Sequence, residues 1–213
     1  MNTFDYKKED KDLYVPKEMM IIEVPKMAYV MVEGKGNPNT SESYQEAISI
    51  LYKLSYTIKM SKIKHQQPKG YYDFVVPPLE GLWAIDDGDF DGHKIEDKEN
   101  FYWKAMIRLP DFVSKDYFEE VKREVTILKP HIDVSKAQYF VYDEGLCIQM
   151  MHKGSYDDEP ISLQKMNQFM DERGFVCDIS KTRFHHEIYL SNPKRTKTEN
   201  LKTVIRLPIQ KIR

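Results

Sequence analysis

The tetrapeptide Ile-Arg-Leu-Pro occurs twice, at 107–110 and 205–208, and each copy is preceded by a Glu-Asn pair, Glu99-Asn100 and Glu199-Asn200. Each copy closes a stretch with the same order of local signals: strand, glycine loop, helix, strand, strand. A match at the same stage of both stretches reads as internal duplication rather than chance. The fold class that follows is α+β, built from duplicated strand-helix-strand-strand modules. Two small sheets, each with one helix on a face, would bury their helical faces separately and leave their other faces to meet. A cleft at that meeting is the expected place for a ligand.

The individual elements are legible. MIIEVPKMAYVMVEG has strand composition with a break at Pro25, and Gly34, Gly36 and Pro38 mark the loop after it. In SESYQEAISILYKLSYTIKM, the residues Tyr44, Ile48, Leu51 and Ile58 fall near one helical stripe, and Ser43 with Glu46 has capping-box spacing. YYDFVVPPLEGLWAID reads as strands interrupted at Pro77-Pro78, DDGDFDGH as a turn, and ENFYWKAMIRLPDFV as a strand ended by Pro110. SKDYFEEVKREV places Phe118, Val121 and Val125 on one face of a connecting helix. In the second half, AQYFVYDEGLCIQMMHKG reads as two strands around a tight turn at Glu144-Gly145, and SYDDEP as a loop. ISLQKMNQFMDERG is a helix with a stripe of Leu163, Met166 and Met170 beside Phe169, ended by Gly174. FVCDI, RFHHEIYL and KTVIRLPI supply the last strands.

These boundaries divide the chain into a polar N-terminal tail at 1–18 and a single domain at 19–213. The domain consists of halves at 19–113 and 136–213 joined by a helical connector at 114–135. Its 213 residues suit one sizeable domain. A net charge of -2 lacks the basic surplus of a nucleic-acid binder, so direct nucleic-acid binding is not expected. The N-terminal stretch is charged and carries no secretory signal, and nowhere do 18 apolar residues run together, so the reading is cytoplasmic with no membrane partner. Cys147 and Cys177 fit neither a disulfide framework nor a four-ligand zinc site.

Aromatic residues make up 12% of the chain, fourteen of them tyrosines, too many phenols to bury without partners. Some are expected to line a cleft apolar on its walls and wet at its mouth. On a strand, RFHHEIYL puts Phe184, His186, Ile188 and Leu190 on one face and His185, Glu187 and Tyr189 on the other. If the first face packs on a helix, the second points into the cleft. LEGLWAI of the first half reads as its counterpart, Glu80 standing where Glu187 does and Trp83 where Leu190 does. A carboxylate among rings can attract a lipophilic cation or, when desolvated, take a proton from water. Tyr189 could orient that water or donate to developing negative charge. The bland alternative is a paired or edge glutamate, with Trp83, Tyr102 and Trp103 in the core.

Metal and cofactor chemistry is not expected from spacing alone. His185 and His186 point apart on a strand, HHEIY is not HExxH, GKGNPN is not GxGxxG, and neither GK[ST] nor GxSxG occurs.

The ordered set GKGNPN, LYKLSYTIK, YDFVVPPLEGLW, MIRLPDFV, HKGSYDDEP, HHEIYLSNP and KTVIRLPI resembles the stand-alone gyrase-inhibitor-like (GyrI-like) small-molecule-binding proteins over nearly the whole chain. The resemblance implies a ligand cleft at a pseudo-twofold axis. In related effector domains of multidrug-responsive regulators, the glutamate of the HEIYL-like strand meets cationic aromatic drugs; here that residue is Glu187. Those regulators carry a DNA-binding module, and fewer than twenty residues precede the first strand here. Some stand-alone relatives hydrolyse cyclopropane-containing DNA alkylators. By that resemblance Glu187 is the base, Tyr189 or Tyr102 the polarising donor, Trp83 and Trp103 the stacking walls, with Glu80 and His185 also in the ligand site. The family's name suggests a second role, a protein module that contacts gyrase without catalysis.

Overall fold

The computed structural model describes residues 3–85 and 100–212. The turn DDGDFDGH and Glu99 lie outside these residues. Among the described residues nine strands occur, in the order β1 (Met20–Val24), β2 (Met27–Lys35), β3 (Leu79–Ile85), β4 (Phe101–Arg108), β5 (Gln138–Tyr142), β6 (Gly145–Lys153), β7 (Phe175–Cys177), β8 (His185–Tyr189) and β9 (Lys202–Lys211). The helices are α1 (Tyr6–Glu9), α2 (Lys11–Tyr14), α3 (Glu42–Met60), α4 (Lys115–Leu128) and α5 (Glu159–Asp171). Pro25 and Pro77-Pro78 interrupt pairing where expected, because proline has no N–H to give a ladder. The cap of α3 is Ser41, whose hydroxyl accepts from the Tyr44 N–H; Ser43 already lies inside the first turn. α5 begins at Glu159-Pro160, inside the stretch that reads as a loop, since proline fits the first helical turn.

The strands form a single antiparallel sheet in the order β1-β6-β9-β8-β3-β4-β2-β5, with β7 paired to β9. Strands from 19–113 and from 136–213 therefore pair edge to edge, at β3–β8 and also at β1–β6 and β2–β5, instead of forming two sheets that meet face to face. Nor is the Glu144-Gly145 turn a hairpin, for β5 pairs with β2 while β6 pairs with β1 and β9. β1 and β2 stand far apart in the hydrogen-bonded order, yet two residues, Pro25 and Lys26, connect them. β5 and β6 are joined by Asp143 and Glu144 alone. Links this short hold the strand ends within about 10 Å. The sheet must curl until its two ends approach.

Curling separates two faces with different tasks. Val32, Ala105, Gly81, Glu187 and Ile205 form one cross-strand row. This face is covered by α3, through Ile50, Leu51 and Leu54, and by α5, through Leu163, Met166 and Met170. α4 packs beside α3 with Phe118, Val121 and Val125 buried, the stripe anticipated for it.

The other face holds Tyr29, Met31, Leu82 and Met106 and is covered by the N-terminal segment. That segment is no solvated tail: Tyr6 and Tyr14 are each 2% exposed. The arginines of the two Ile-Arg-Leu-Pro copies hold it. Arg108 pairs with Asp10 at 2.7 Å, and Arg206 donates to the Leu13 carbonyl at 2.8 Å. Arg206 also donates to Glu144 and Gln149, each at 2.9 Å, while Gln149 donates to the Asp12 carbonyl. The flanking Ile107, Leu109, Ile205 and Leu207 are buried, so the repeat alternates core residue and anchor as a strand must.

His186 completes this buried network, its Nδ1 at 2.9 Å from Glu144 and its Nε2 at 3.0 Å from Glu80. Burial favours the neutral imidazole, but the two carboxylates outweigh it and raise its pKa from 6.5 to about 9. Burial likewise opposes ionisation of Glu144, yet His186 and Arg206 carry its pKa down from 4.5 to about 2. The His186 contribution to stability is therefore complete below pH 6.5 and lost as pH rises through about 9. The Glu144 contribution is complete above pH 4.5 and lost as pH falls through about 2. Urea midpoints measured across pH are expected to peak between these limits; a His186→Gln variant should lose the alkaline decline.

Candidate functional site

The helices do not close over the whole sheet. Between α3, α5 and the β3–β8 pair lies a cavity of about 770 Å³, lined by side chains of α3, by Trp83 and Phe101 from the sheet, and by Glu159, Glu187 and Tyr189. Seven aromatic rings stand among its lining, beside aliphatic side chains and prolines. Tyr44, Ile48, Tyr52 and Tyr56 follow one another at four-residue intervals on α3 and all line it. Trp83 meets Phe101 edge-on at 5.3 Å and lies 6.1 Å from Tyr44, while Tyr156 meets Tyr189 edge-on at 6.0 Å. Asn39, Asn192 and Lys194 add polar groups to the lining.

Glu187 is the carboxylate on the β8 floor. Its side chain is 13% exposed and lies 3.3 Å from His185 Nε2, while the His185 side chain is only 1% exposed. Residues 185, 187 and 189 share this face because side chains alternate along a strand. Trp83 Nε1 donates to the Tyr189 hydroxyl at 3.1 Å, and that hydroxyl also hydrogen-bonds Glu187. Burial first, and the Glu187 charge second, hold the Tyr189 pKa well above the usual phenol range, so this phenol remains a proton donor. Burial and the same carboxylate raise Tyr44 as well, and push Tyr156 up to about 12. Gly81 makes room for the arrangement. A Cβ there would stand 2.9 Å from Trp83 Nε1 and 3.1 Å from the Tyr189 hydroxyl.

The face assignment of RFHHEIYL is reversed relative to the helices: the Glu187 face lies beneath them, and the His186 face packs toward the N-terminal segment. Glu80 does not stand where Glu187 does. In the β3–β8 register Gly81 pairs with Glu187 and Glu80 with Ile188, so the glutamates point to opposite faces. Glu80 is 1% exposed and bonded to His186 and Tyr14. Tyr102 is 41% exposed, with Lys35 over its ring, and does not line the cavity.

Trp103 stands behind the wall, edge-on to Tyr44 at 4.9 Å and packed where a Cβ on Gly34 would reach its ring at 2.4 Å. Trp103→Phe is expected to reduce stability by roughly 1–3 kcal/mol through lost packing. Ligand affinity should stay within about twofold, because the ring is one layer removed from the ligand space. Thermal unfolding and dye titration of the same sample separate the two effects.

Of the anticipated residues, the structure brings together Glu187, Tyr189, Trp83 and His185. Sequence reasoning missed Tyr52, Tyr56, Phe101, Tyr156 and Glu159 as neighbours. The four-residue run on α3 carried a signal for Tyr52 and Tyr56. Glu159 carried none, because its position depends on where α5 starts and over which strand.

A cavity walled by aromatic rings, with a carboxylate on its floor, is a small-molecule site in an α+β domain. The chain belongs to the GyrI-like family, whose small molecule binding domain model matches residues 17–210. Its fold is similar to that of a hydrolase from Listeria innocua, with 40% identity, a TM-score of 0.88, and coverage of 98% of this chain and 100% of that one. An uncharacterized conserved protein from Listeria innocua is 42% identical over 98% of this chain and 100% of that one, with a TM-score of 0.91. The EcmrR C-terminal domain shares the fold at 13% identity and a TM-score of 0.53, over 92% of this chain and 98% of that one. A search of curated proteins gave no match. Among the described residues, no helix is long and apolar enough to cross a membrane.

Proposed function

We propose that the cavity binds flat, apolar or cationic aromatic molecules, with Glu187 as the counter-charge, Trp83 and the α3 tyrosines as stacking walls, and Tyr189 holding the carboxylate. The observation that carries this reading is the part-buried Glu187 carboxylate on the floor of a ring-lined space of about 770 Å³, with Glu159 and Asp157 adding negative charge to the lining. Such a volume lies within the range of drug-sized ligand pockets. Rings around a cation add roughly 0.5–2 kcal/mol of attraction to the ion pair. Fluorescence titration with rhodamine 6G and with a neutral flat dye tests it. Saturable binding that favours the cation supports the reading, and absence of saturation for both dyes removes it.

Hydrolysis is the second reading, favoured by the Listeria innocua hydrolase at 40% identity over 98% of this chain. In it Glu187 takes a proton from water, and the water oxygen bonds to a carbon of a strained cyclopropane. The electron pair of the broken ring bond flows into the conjugated carbonyl group, which accepts the proton. Ring strain supplies much of the driving force, so positioning and a base suffice. Such a protein would act in the cytoplasm as a detoxifier of DNA alkylators.

The halves 19–113 and 136–213 descend from one duplicated module, β2-α3-β3-β4 and β6-α5-β8-β9, placed around a pseudo-twofold axis between β3 and β8. The strand order supports this, because β2-β4-β3 and β6-β9-β8 run inward from opposite ends to the shared pair.

A further inference from the structure

The geometry points to a divalent-cation site formed by Glu159 and Glu187 of the cavity lining together with the buried His185. The three come from two elements: His185 and Glu187 lie two apart on β8 and therefore face the same way, and Glu159 opens α5. One donor atom from each lies within 4.8 Å of those of the other two, the one such grouping of three among the described residues.

The separations suit a small ion. With metal–ligand bonds of about 2.0–2.1 Å, two ligands of a tetrahedral zinc stand roughly 3.3–3.4 Å apart. The 3.3 Å between His185 Nε2 and Glu187 Oε1 is already that distance. The Glu159 donor lies within 4.8 Å of the other two, so a closer approach of about 1–1.5 Å would complete the set. Glu159 and Glu187 both line the cavity, so the remaining coordination positions would open toward a bound molecule. Tyr189, hydrogen-bonded to Glu187, supplies the outer contact that orients such a ligand.

The donor set selects the class of ion. One imidazole and two carboxylates suit Zn²⁺ or a neighbouring first-row dication; three ligands are too few for Ca²⁺, and no thiolate is present to favour Cu⁺. The two histidines of HHEIY point apart, as their adjacency requires, so the site depends on Glu159 arriving from another element. Occupancy would also change the chemistry of the cavity. Two facing carboxylates attract a cationic ligand, whereas an ion between them cancels that charge and favours a neutral ligand whose oxygen completes the coordination.

Metal binding is independent of the small-molecule reading, and the test keeps the two apart. Co²⁺ is titrated into chelator-treated full-length protein, with visible absorption reporting coordination geometry and rhodamine 6G fluorescence reporting the cavity. The expected result is saturation at one equivalent with a tetrahedral visible band, weakened by more than about tenfold in Glu159→Gln and in His185→Gln. Circular dichroism checks that each variant folds, and Glu159→Gln, at the part-buried start of α5, keeps the test valid should the buried histidine variant not fold. Co²⁺ should also displace rhodamine 6G if that dye binds. Absence of saturation at millimolar Co²⁺, or equal binding by folded Glu159→Gln, overturns the metal site whatever the dye does. A cobalt site without dye binding would leave the metal proposal standing and remove the cationic-ligand one.

Discussion

Glu187→Gln is expected to retain the fold and the shape of the cavity while losing about tenfold to a hundredfold in affinity for a cationic aromatic dye. That loss corresponds to roughly 1.4–2.8 kcal/mol. Glutamine occupies nearly the same volume and can still accept the Tyr189 hydrogen bond, so the variant removes charge and basicity with little change in packing. A neutral flat dye should bind both proteins alike, which is the internal control. Any hydrolysis should vanish, since an amide cannot take a proton from water near neutral pH. Mass spectrometry of a cyclopropane-containing alkylator, following gain of one water, reads this directly. Equal affinities and equal turnover would remove Glu187 from both readings. Dye binding that falls without turnover by either protein would leave a binding module.

The second large effect lies on the opposite face of the sheet. Arg206 is 1% exposed and donates to Glu144, Gln149 and the Leu13 carbonyl. Arg206→Ala leaves the Glu144 carboxylate buried with part of its counter-charge gone, a change that costs about 3–5 kcal/mol. For a chain of this size the melting temperature should fall by roughly 6 to 20 °C. The loss should not be uniform. Limited trypsin digestion is expected to cut within Lys7–Lys11, because Arg206 is one of the groups that tie the N-terminal segment to the sheet. A variant that melts near the parent temperature and resists cleavage there would show that the remaining contacts of Tyr6, Tyr14 and Arg108 are sufficient.

The two experiments probe the two faces of one strand. β8 sends His186 toward the network that includes Glu144 and Arg206, and sends Glu187 into the cavity. A one-residue slip of this strand would exchange them, placing a carboxylate beneath the N-terminal segment and an imidazole at the cavity floor. The buried network thus serves the site indirectly, by making only one register satisfy every charge.

How far the sequence carries the argument can be judged at particular residues. Helix α5 was legible from Leu163, Met166, Met170 and Gly174, and α4 from Phe118, Val121 and Val125, because a helix that buries one side repeats its apolar residues every three or four positions. Pro25 and Pro77-Pro78 marked strand breaks for an equally local reason, whereas Pro208 lies within β9. The pairing of His185, Glu187 and Tyr189 on one face followed from strand alternation alone. The family, too, was legible, since its motifs occur in order along the chain.

Two misreadings were local, the α3 cap at Ser41 in place of Ser43 and the start of α5 at Glu159; the larger ones concern partners distant in sequence. MNTFDYKKEDKDLY is polar on average, and only contact with Tyr72, Arg108 and Glu80 makes Tyr6 and Tyr14 part of a core. The AQYFVYDEGLCIQMM stretch has the local pattern of a hairpin, yet its strands pair elsewhere, because pairing is decided by which edges the curled sheet leaves open. Glu80 seemed the counterpart of Glu187 from a letter match, until the ladder placed Gly81 in that position.

By itself, then, the sequence determined what neighbouring residues decide together: the elements, their buried stripes, and the alternation that sets Glu187 apart from His186. The tertiary structure alone decided which face the helices cover, how the sheet curls, and that Glu159 comes to lie beside His185 and Glu187. The physical reason is that the first set depends on periodicity within one segment, while the second depends on registers between strands and on charges that find one another only when the chain has closed.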